Sequence, residues 1–390
     1  MAIIYLDNAA TTQVDERVLK KMFPFFTEKF ANPATKWTSS ISKEVDIYVE
    51  QARVDVASLI EADPDEIFFT SGGTESDNTA LKGVALAMRE NGNEIISTKI
   101  EHEAIIKPLE TLEKMGFIIK FVNVDKYGFV DPDEIKNLVS KKTILISIMH
   151  ANNEIGTIEP IEEIGEIAKE NKIYFHTDAV QTVGHIPINV KQLNIDLLSL
   201  SAHKFYGPKG VGAIYIRKGT KIDPFMEGGG QEGGIRSGTL NTTGIIGLGE
   251  AAKITKKEMD FDGEKVKNIR NSLWKKIQEQ IPGVFLNGAE MDKRLPGNLN
   301  FLVKGIRNEP LLVALNERGI IAGGGSACSA GSKEPSHVLK TIGINAEDLF
   351  SGIRMTIGKF NREEEIDIIV ENLKDYVKKL RELSPSWKEG

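Results

Sequence analysis

Short apolar runs, five to seven residues long, recur along the first two-thirds of the chain. They are EIFFT (66–70), EIIST (94–98), FIIKFV (117–122), TILISIM (143–149), KIYFHT (172–177), DLLSL (196–200) and GAIYI (212–216). All are rich in β-branched and aromatic residues and nearly unbroken in hydrophobicity, the pattern of strands covered on both faces. Between several of them, ESDNTALKGVALAMRE and PIEEIGEIAKE carry apolar residues at helical spacing. Strand alternating with helix predicts βαβ units, hence an α/β fold around a mainly parallel, seven-stranded sheet.

The texture changes after about residue 255. A charged helical stretch, KKEMDFDGEKVKNIRNSLWKKIQEQI, leads into a mixed segment, and the chain closes on a helix. In that helix Ile366, Ile369, Val370, Leu373, Val377 and Leu380 keep one apolar stripe, and Ser384-Pro385 ends it. A length of 390 residues suits about two domains. The expected division is a large domain over 16–255 and a smaller α+β domain formed by 1–15 and 256–390. There is no internal repeat or low-complexity tract.

Composition narrows the field. Hydrophobic residues are 41% and charged residues 27%, ordinary for a globular protein. A net charge of −7 argues against gripping nucleic acid by bulk electrostatics. The single cysteine, Cys328, excludes an intrachain disulfide and any Cys-based zinc site. The opening MAIIYLDNAATT has an apolar run too short for a signal peptide, and no stretch approaches the ~18 apolar residues of a membrane helix. These features lead us to expect a reducing, cytoplasmic setting.

Ligands of open α/β sheets bind beyond the carboxyl ends of the strands, so the residues following each run matter. EIFFT leads to SGGTESDN, with Gly73 and Thr74; EIIST leads to His102; TILISIM leads to HANNEIG, with Asn153. KIYFHT leads to Asp178 and Gln181, and DLLSL leads to Ser201, His203 and Lys204. SGGTESDN reads as an anion cradle at a helix N-terminus, although a glycine-rich turn capped by Thr74 has the same letters. It matches neither GxGxxG nor GxxxxGK[ST]. Asp178 beyond a buried strand calls for a cation or donor, such as a protonated pyridine nitrogen, or else caps a helix. Half a metal site is a further reading of HTD, without a third ligand at typical spacing. Lys204 at a strand end supplies an amine able to form a Schiff base, unless it snorkels to solvent. Anion cradle, pyridinium partner and amine together match the needs of pyridoxal phosphate. His102 would then stack on the ring and pass protons.

Two further residues stand outside this ring. Cys328 sits in IAGGGSACSAGSKEPSHVL, among glycines and small residues rather than the bulky neighbours of a packed thiol. A loop there (about 321–336) would let a thiolate travel from substrate to acceptor. Arg354, in GIRMTIG, falls on an expected small-domain strand and could hold a substrate carboxylate bidentately, or form a surface salt bridge.

LDNAATT, TSGGTESDN, IEH, HANNEIG, HTDAVQ, SAHKFYGPKG, GGGQE with RSGT, RLPGNLN, and GSACSAGS followed by EPSHVL run in order over nearly the whole chain. Together they resemble the cysteine desulfurases of the NifS/IscS type, fold-type I pyridoxal-phosphate enzymes of the class-V aminotransferase family. The resemblance implies that Lys204 carries the cofactor, Asp178 pairs its pyridine nitrogen and Gln181 its ring hydroxyl. Gly73, Thr74, Ser201 and His203 then hold the phosphate, joined by Thr239 of the second subunit in a homodimer. It further implies that His102 stacks on the ring, that Asn153 lies beside the cofactor, and that Arg354 and Asn153 bind the substrate, L-cysteine. Cys328 takes the sulfur as a persulfide, L-alanine leaves, and the sulfur passes to a U-type iron–sulfur scaffold or to tRNA-thiolation proteins. Cys328 is also a candidate transient iron–sulfur ligand, with no resident metal. Related readings are a selenocysteine lyase, an aminotransferase, or a non-catalytic sulfur-trafficking protein on the same fold.

Two positions depart from the family pattern. After Asn32-Pro33 the chain reads ATKWTSSIS, without the usual histidine and glycine, and Gly233 stands where an arginine usually follows GGQE. Both bear on partner choice and turnover rather than on reaction type.

Overall fold

The structure is a computed structural model, and it describes residues 3–324 and 334–384. The chain runs from strand β1 (Ile4–Tyr5) through helices α1 (Glu16–Met22), α2 (Pro24–Thr27) and α3 (Ser40–Leu59) into β2 (Ile67–Thr70). Helices and strands then alternate: α4 (Gly73–Ala87), β3 (Glu94–Thr98), α5 (Glu103–Lys114), β4 (Ile118–Val122), α6 (Pro132–Leu138) and β5 (Thr143–Ser147). They continue with α7 (Ile161–Asn171), β6 (Tyr174–Asp178), β7 (Leu197–Ser201) and β8 (Gly212–Ile216). The remainder comprises α8 (Thr242–Gln280), β9 (Val284–Leu286), β10 (Asn298–Val303), α9 (Asn308–Glu317), β11 (Ile320–Ile321), β12 (Gly323–Gly324), α10 (His337–Thr341), β13 (Gly352–Thr356) and α11 (Glu365–Glu382).

Each of the seven apolar runs coincides, to within a residue or two at its ends, with one strand of a seven-stranded sheet, in the order β2-β8-β7-β6-β5-β3-β4. Only β8 runs against its neighbours. The C-terminal ends of β2, β3, β5, β6 and β7 therefore open on one side, and the N-terminal residue of β8, Gly212, lies there too, paired with both Thr70 and Ser201. Strands β3, β5, β7 and β8 are buried along their whole length. Strand β4 is not: it closes the sheet edge, and Ile118 and Phe121 remain 47% and 36% exposed. The expectation that every run is covered on both faces fails there, whereas the opposite edge strand, β2, stays buried at three of its four residues.

A second, antiparallel sheet follows the order β12-β13-β10-β9, and β1 pairs in parallel with β11 beside it. Its core gathers Leu6, Leu273, Trp274, Phe301, Met355 and the apolar stripe of α11. Helix α8 serves both cores. Ile245, Leu248 and Ala252 pack in the large one, and Val266, Leu273 and Ile277 in the small one. The change of texture at 255/256 thus falls inside one continuous 39-residue helix. The charged stretch contains no proline, and its lone Gly263 costs only about 1 kcal/mol in a helix.

A further small cluster joins Ile100, Met149 and Ile155, in the loops after β3 and β5, to Val338, Leu339 and Ile342 on and after α10. Among the described residues no helix is long and apolar enough to cross a membrane.

Candidate functional site

Beyond the C-terminal strand ends lies a cavity of about 230 Å³. Gly73, Thr74, His102, Asn153, Asp178, Gln181, Ser201, His203, Lys204 and Arg354 all line it. These are ten of the positions read from the sequence, delivered by five strands of the large sheet and one of the small.

The glycine cradle follows β2. Gly72 adopts φ +149°, a region that side-chain-bearing residues avoid, and Gly73 opens α4. A Cβ at Gly73 would meet Val180 Cγ2 at 2.6 Å, and one at Gly212 would meet Leu200 O at 2.5 Å and Gly72 Cα at 2.7 Å. The turn therefore sits tight against β6 and β8, with the α4 N-terminus turned toward the cavity wall. Glu75 in the first turn accepts from Ser71 N at 2.8 Å and pairs with Arg236 at 2.8 Å, which fixes the loop on its outer side.

His102 caps α5, its Nδ1 accepting from Ala104 N at 3.1 Å, so that its ring proton belongs on Nε2. Asp178 ends β6, accepts from Val180 N at 2.9 Å, and is 6% exposed. Burial raises its pKa; His102 and then Lys204 oppose that rise. Gln181, three residues on, donates to Ala9 O at 3.0 Å. His203 shares a proton with Thr11 at 3.0 Å, and burial next to Lys204 and Lys209 lowers its pKa to about 4, so its imidazole is neutral near pH 7. Lys204 Nζ donates to Ala9 O and to Ala10 O, the latter at 3.0 Å. The amine points inward against the N-terminal arm instead of snorkelling to solvent.

Arg354, on β13, is 1% exposed. Its Nη2 pairs with Asp7 at 2.8 Å and its Nη1 donates to Asn153 O at 3.0 Å, while Nε has no hydrogen-bond partner among the described residues. The salt bridge is thus a buried one in the cavity wall, not a surface pair.

Two positions stand apart. Thr239 lies on an exposed loop and is not among the cavity-lining residues. Cys328 lies outside the described residues. Of the two departures from the family pattern, Trp37 is 88% exposed, and Gly233 adopts φ 62° beside Glu232, which pairs with Arg53 at 2.9 Å.

Sequence reasoning missed several contributors. Asp7 and the carbonyls of Ala9 and Ala10 come from LDNAATT, whose run of small and polar residues is the only hint that a chain terminus wraps the site. It also missed a set of buried acids. Asp77, one helical turn into α4, is pushed well up by burial and by Asp178. Glu101 accepts from Thr98 and from Met149 N, both at 2.9 Å, and burial raises it to about 8. Near neutrality Glu101 therefore holds its proton, and burial with the neighbouring Asp178 charge pushes Asp77 in the same direction.

The aminotransferase class-V family profile matches residues 4–369. The chain belongs to the class-V aminotransferase family. A cysteine desulfurase IscS of Clostridium botulinum is 50% identical over 387 residues, covering 99% of this chain and 97% of its own. A solved NifS-like protein superposes with a TM-score of 0.90 at 38% identity, covering 97% of this chain and 100% of its own. The solved structure described as SspA in complex with cysteine gives a TM-score of 0.81 at 35% identity, covering 92% and 100%. The fold is accordingly that of fold-type I pyridoxal-phosphate enzymes.

Proposed function

We propose that this chain is a pyridoxal-phosphate-dependent cysteine desulfurase. The observation that carries the reading is the cavity itself: an inward-facing lysine amine, a buried carboxylate at the next strand end, and a glycine cradle line one space with a buried arginine. A carboxylate at Asp178, whose charged form is favoured by His102 and Lys204, can accept from and stabilise a protonated pyridine nitrogen. The cradle admits phosphate because no Cβ fits at Gly73, and Thr74, Ser201 and His203 surround it. The residues present thus fit the cofactor.

Bound there, pyridoxal phosphate supplies an electron sink for the bonds at the substrate α-carbon. The chain does the rest. Lys204, its amine oriented by the Ala9 and Ala10 carbonyls, would hold the cofactor aldehyde. Asp178 would hold the ring nitrogen and Gln181 the ring hydroxyl. His102, with its proton on Nε2, would stand against the ring and exchange protons. Arg354 and Asn153 receive the substrate carboxylate. Cys328 takes the sulfur: an S–S bond forms as the substrate C–S bond breaks, so that L-cysteine and the Cys328 thiol become L-alanine and a Cys328 persulfide. The sulfane sulfur then leaves for an acceptor protein, a U-type iron–sulfur scaffold or a tRNA-thiolation partner, in the cytoplasm. A second copy of the chain would contribute Thr239 to complete the phosphate site, and Phe23, Phe26, Phe30 and Trp37, each more than half exposed, are apolar groups such a partner could cover.

The test is to reduce the cofactor-loaded protein with borohydride and map its peptides. The cofactor mass is expected on Lys204; its recovery on another lysine overturns the assignment.

A further inference from the structure

Helix α10 begins nine residues after Cys328 and is held by more than its own five residues. Its N-cap, Ser336, accepts from Leu339 N at 3.1 Å and donates to Glu154 Oε2 at 2.5 Å. The next residue, His337, meets Glu101 O at 3.0 Å through Nε2. Beneath them Val338, Leu339 and Ile342 form the small apolar cluster with Ile100, Met149 and Ile155. The helix is therefore docked on the two loops that carry His102 and Asn153, and Ser336 and Glu154 are both buried.

Glu154 lies at the crossing of these contacts. Its carbonyl accepts from Asn298 and from Asn300 on β10, each at 3.0 Å. Its backbone N–H donates to Asn152 at 2.8 Å. The preceding carbonyl, of Asn153, takes Arg354 Nη1. One residue thus joins the carboxylate-binding arginine, the small sheet and the point where the chain returns after Cys328. The charged groups acting on its side chain are Arg354 and His102.

We propose that Glu154 is a positioning residue that pins Ser336, and with it the C-terminal anchor of the Cys328-bearing segment, against the substrate site. The proposal rests on the desulfurase reading above. Fixing one end of a tethered thiol raises its effective concentration at the sulfur it must reach. An ionised Glu154 accepts a hydrogen bond from the Ser336 hydroxyl, leaving the Ser336 oxygen to cap Leu339 N. Burial raises the pKa of Glu154 to about 7, so the ionised form that makes the stronger bond is lost as pH falls through neutrality.

The experiment uses the cofactor-loaded enzyme and follows Cys328 persulfide by mass spectrometry, with KM for L-cysteine, across pH 6 to 9. Glu154→Leu and Ser336→Ala are each expected to slow persulfide formation about tenfold, the worth of one buried charge-assisted hydrogen bond, at unchanged KM. The double variant should lose no more than either single one. Glu154→Gln, which keeps the acceptor oxygen, should stay within about twofold of wild type and lose the rate limb near pH 7. The alkylation rate of Cys328 in the cofactor-free protein should shift with the Leu and Ala variants but not with Gln. Losses that multiply in the double variant, or a Glu154→Leu enzyme with wild-type rates, would overturn the proposal. A wild-type protein that makes no persulfide while its alkylation pattern holds would instead sink the desulfurase reading and leave the anchoring intact.

Discussion

Replacing Arg354 by Gln separates stability from substrate binding. In the fold, the guanidinium neutralises Asp7 at 2.8 Å and satisfies Asn153 O, with 1% of the arginine and 17% of the aspartate side chain exposed. Breaking a buried pair by removing one partner costs about 3–5 kcal/mol. Asp7 retains some access to water, so about 2 kcal/mol is the reasonable expectation here. In binding, a guanidinium that receives a carboxylate is worth about 1.5–3 kcal/mol, or roughly a 10- to 150-fold loss in kcat/KM. Arg354→Gln should therefore lower both the melting temperature and kcat/KM for L-cysteine. The double variant Arg354→Gln, Asp7→Asn removes the orphaned charge and should recover much of the stability while kcat/KM stays low. Arg354→Lys keeps the charge but not the fork and should fall between. The assays are thermal denaturation and steady-state kinetics with L-cysteine and with its methyl ester. Wild type should favour the free acid and the variant should not. An Arg354→Gln enzyme that folds, keeps its KM and still discriminates against the ester would refute the carboxylate role.

Three further outcomes follow from the same geometry. Glu101, raised to about 8 by burial, binds a proton when folded that it has lost when unfolded, so its contribution is full below about pH 4.5 and disappears as pH rises through 8. Glu101→Gln should gain stability relative to wild type by up to about 1.4 kcal/mol per pH unit over that window, read from denaturant unfolding at pH 5 to 9; a pH-independent difference counts against a protonated Glu101. Gly212→Ala would place a Cβ against Leu200 O and Gly72 Cα, so the cradle must shift; a tenfold or greater loss of pyridoxal-phosphate affinity, measured by fluorescence titration, is expected, and unchanged affinity counts against the cradle. Cys328→Ser should keep the cofactor absorbance and lose persulfide formation, whereas continued sulfur release would remove the thiol from the reaction.

Much of this architecture was legible because a strand buried on both faces writes an uninterrupted apolar run, and five of the seven runs led on to polar residues of the cavity. Strand direction left no such trace. GAIYI in β8 reads like the parallel strands, since hydrophobicity is the same whichever way a buried strand runs. The continuity of α8 was hidden for the opposite reason: its charged middle is solvent-facing, and exposure alters composition without ending a helix. Long-range pairs were beyond reach. Asp7 and Arg354 are 347 residues apart, and Glu154 and Ser336 are 182 apart. Nothing local distinguishes such residues from surface charges and ordinary caps.

The most direct measurement is a stoichiometry. Purified, cofactor-loaded protein is given L-cysteine, and alanine is quantified against sulfane sulfur, with the first equivalent located by peptide mass spectrometry. The account predicts one alanine per sulfur removed and the first sulfur on Cys328. Alanine without sulfur on Cys328, or sulfur released with no alanine, would contradict it.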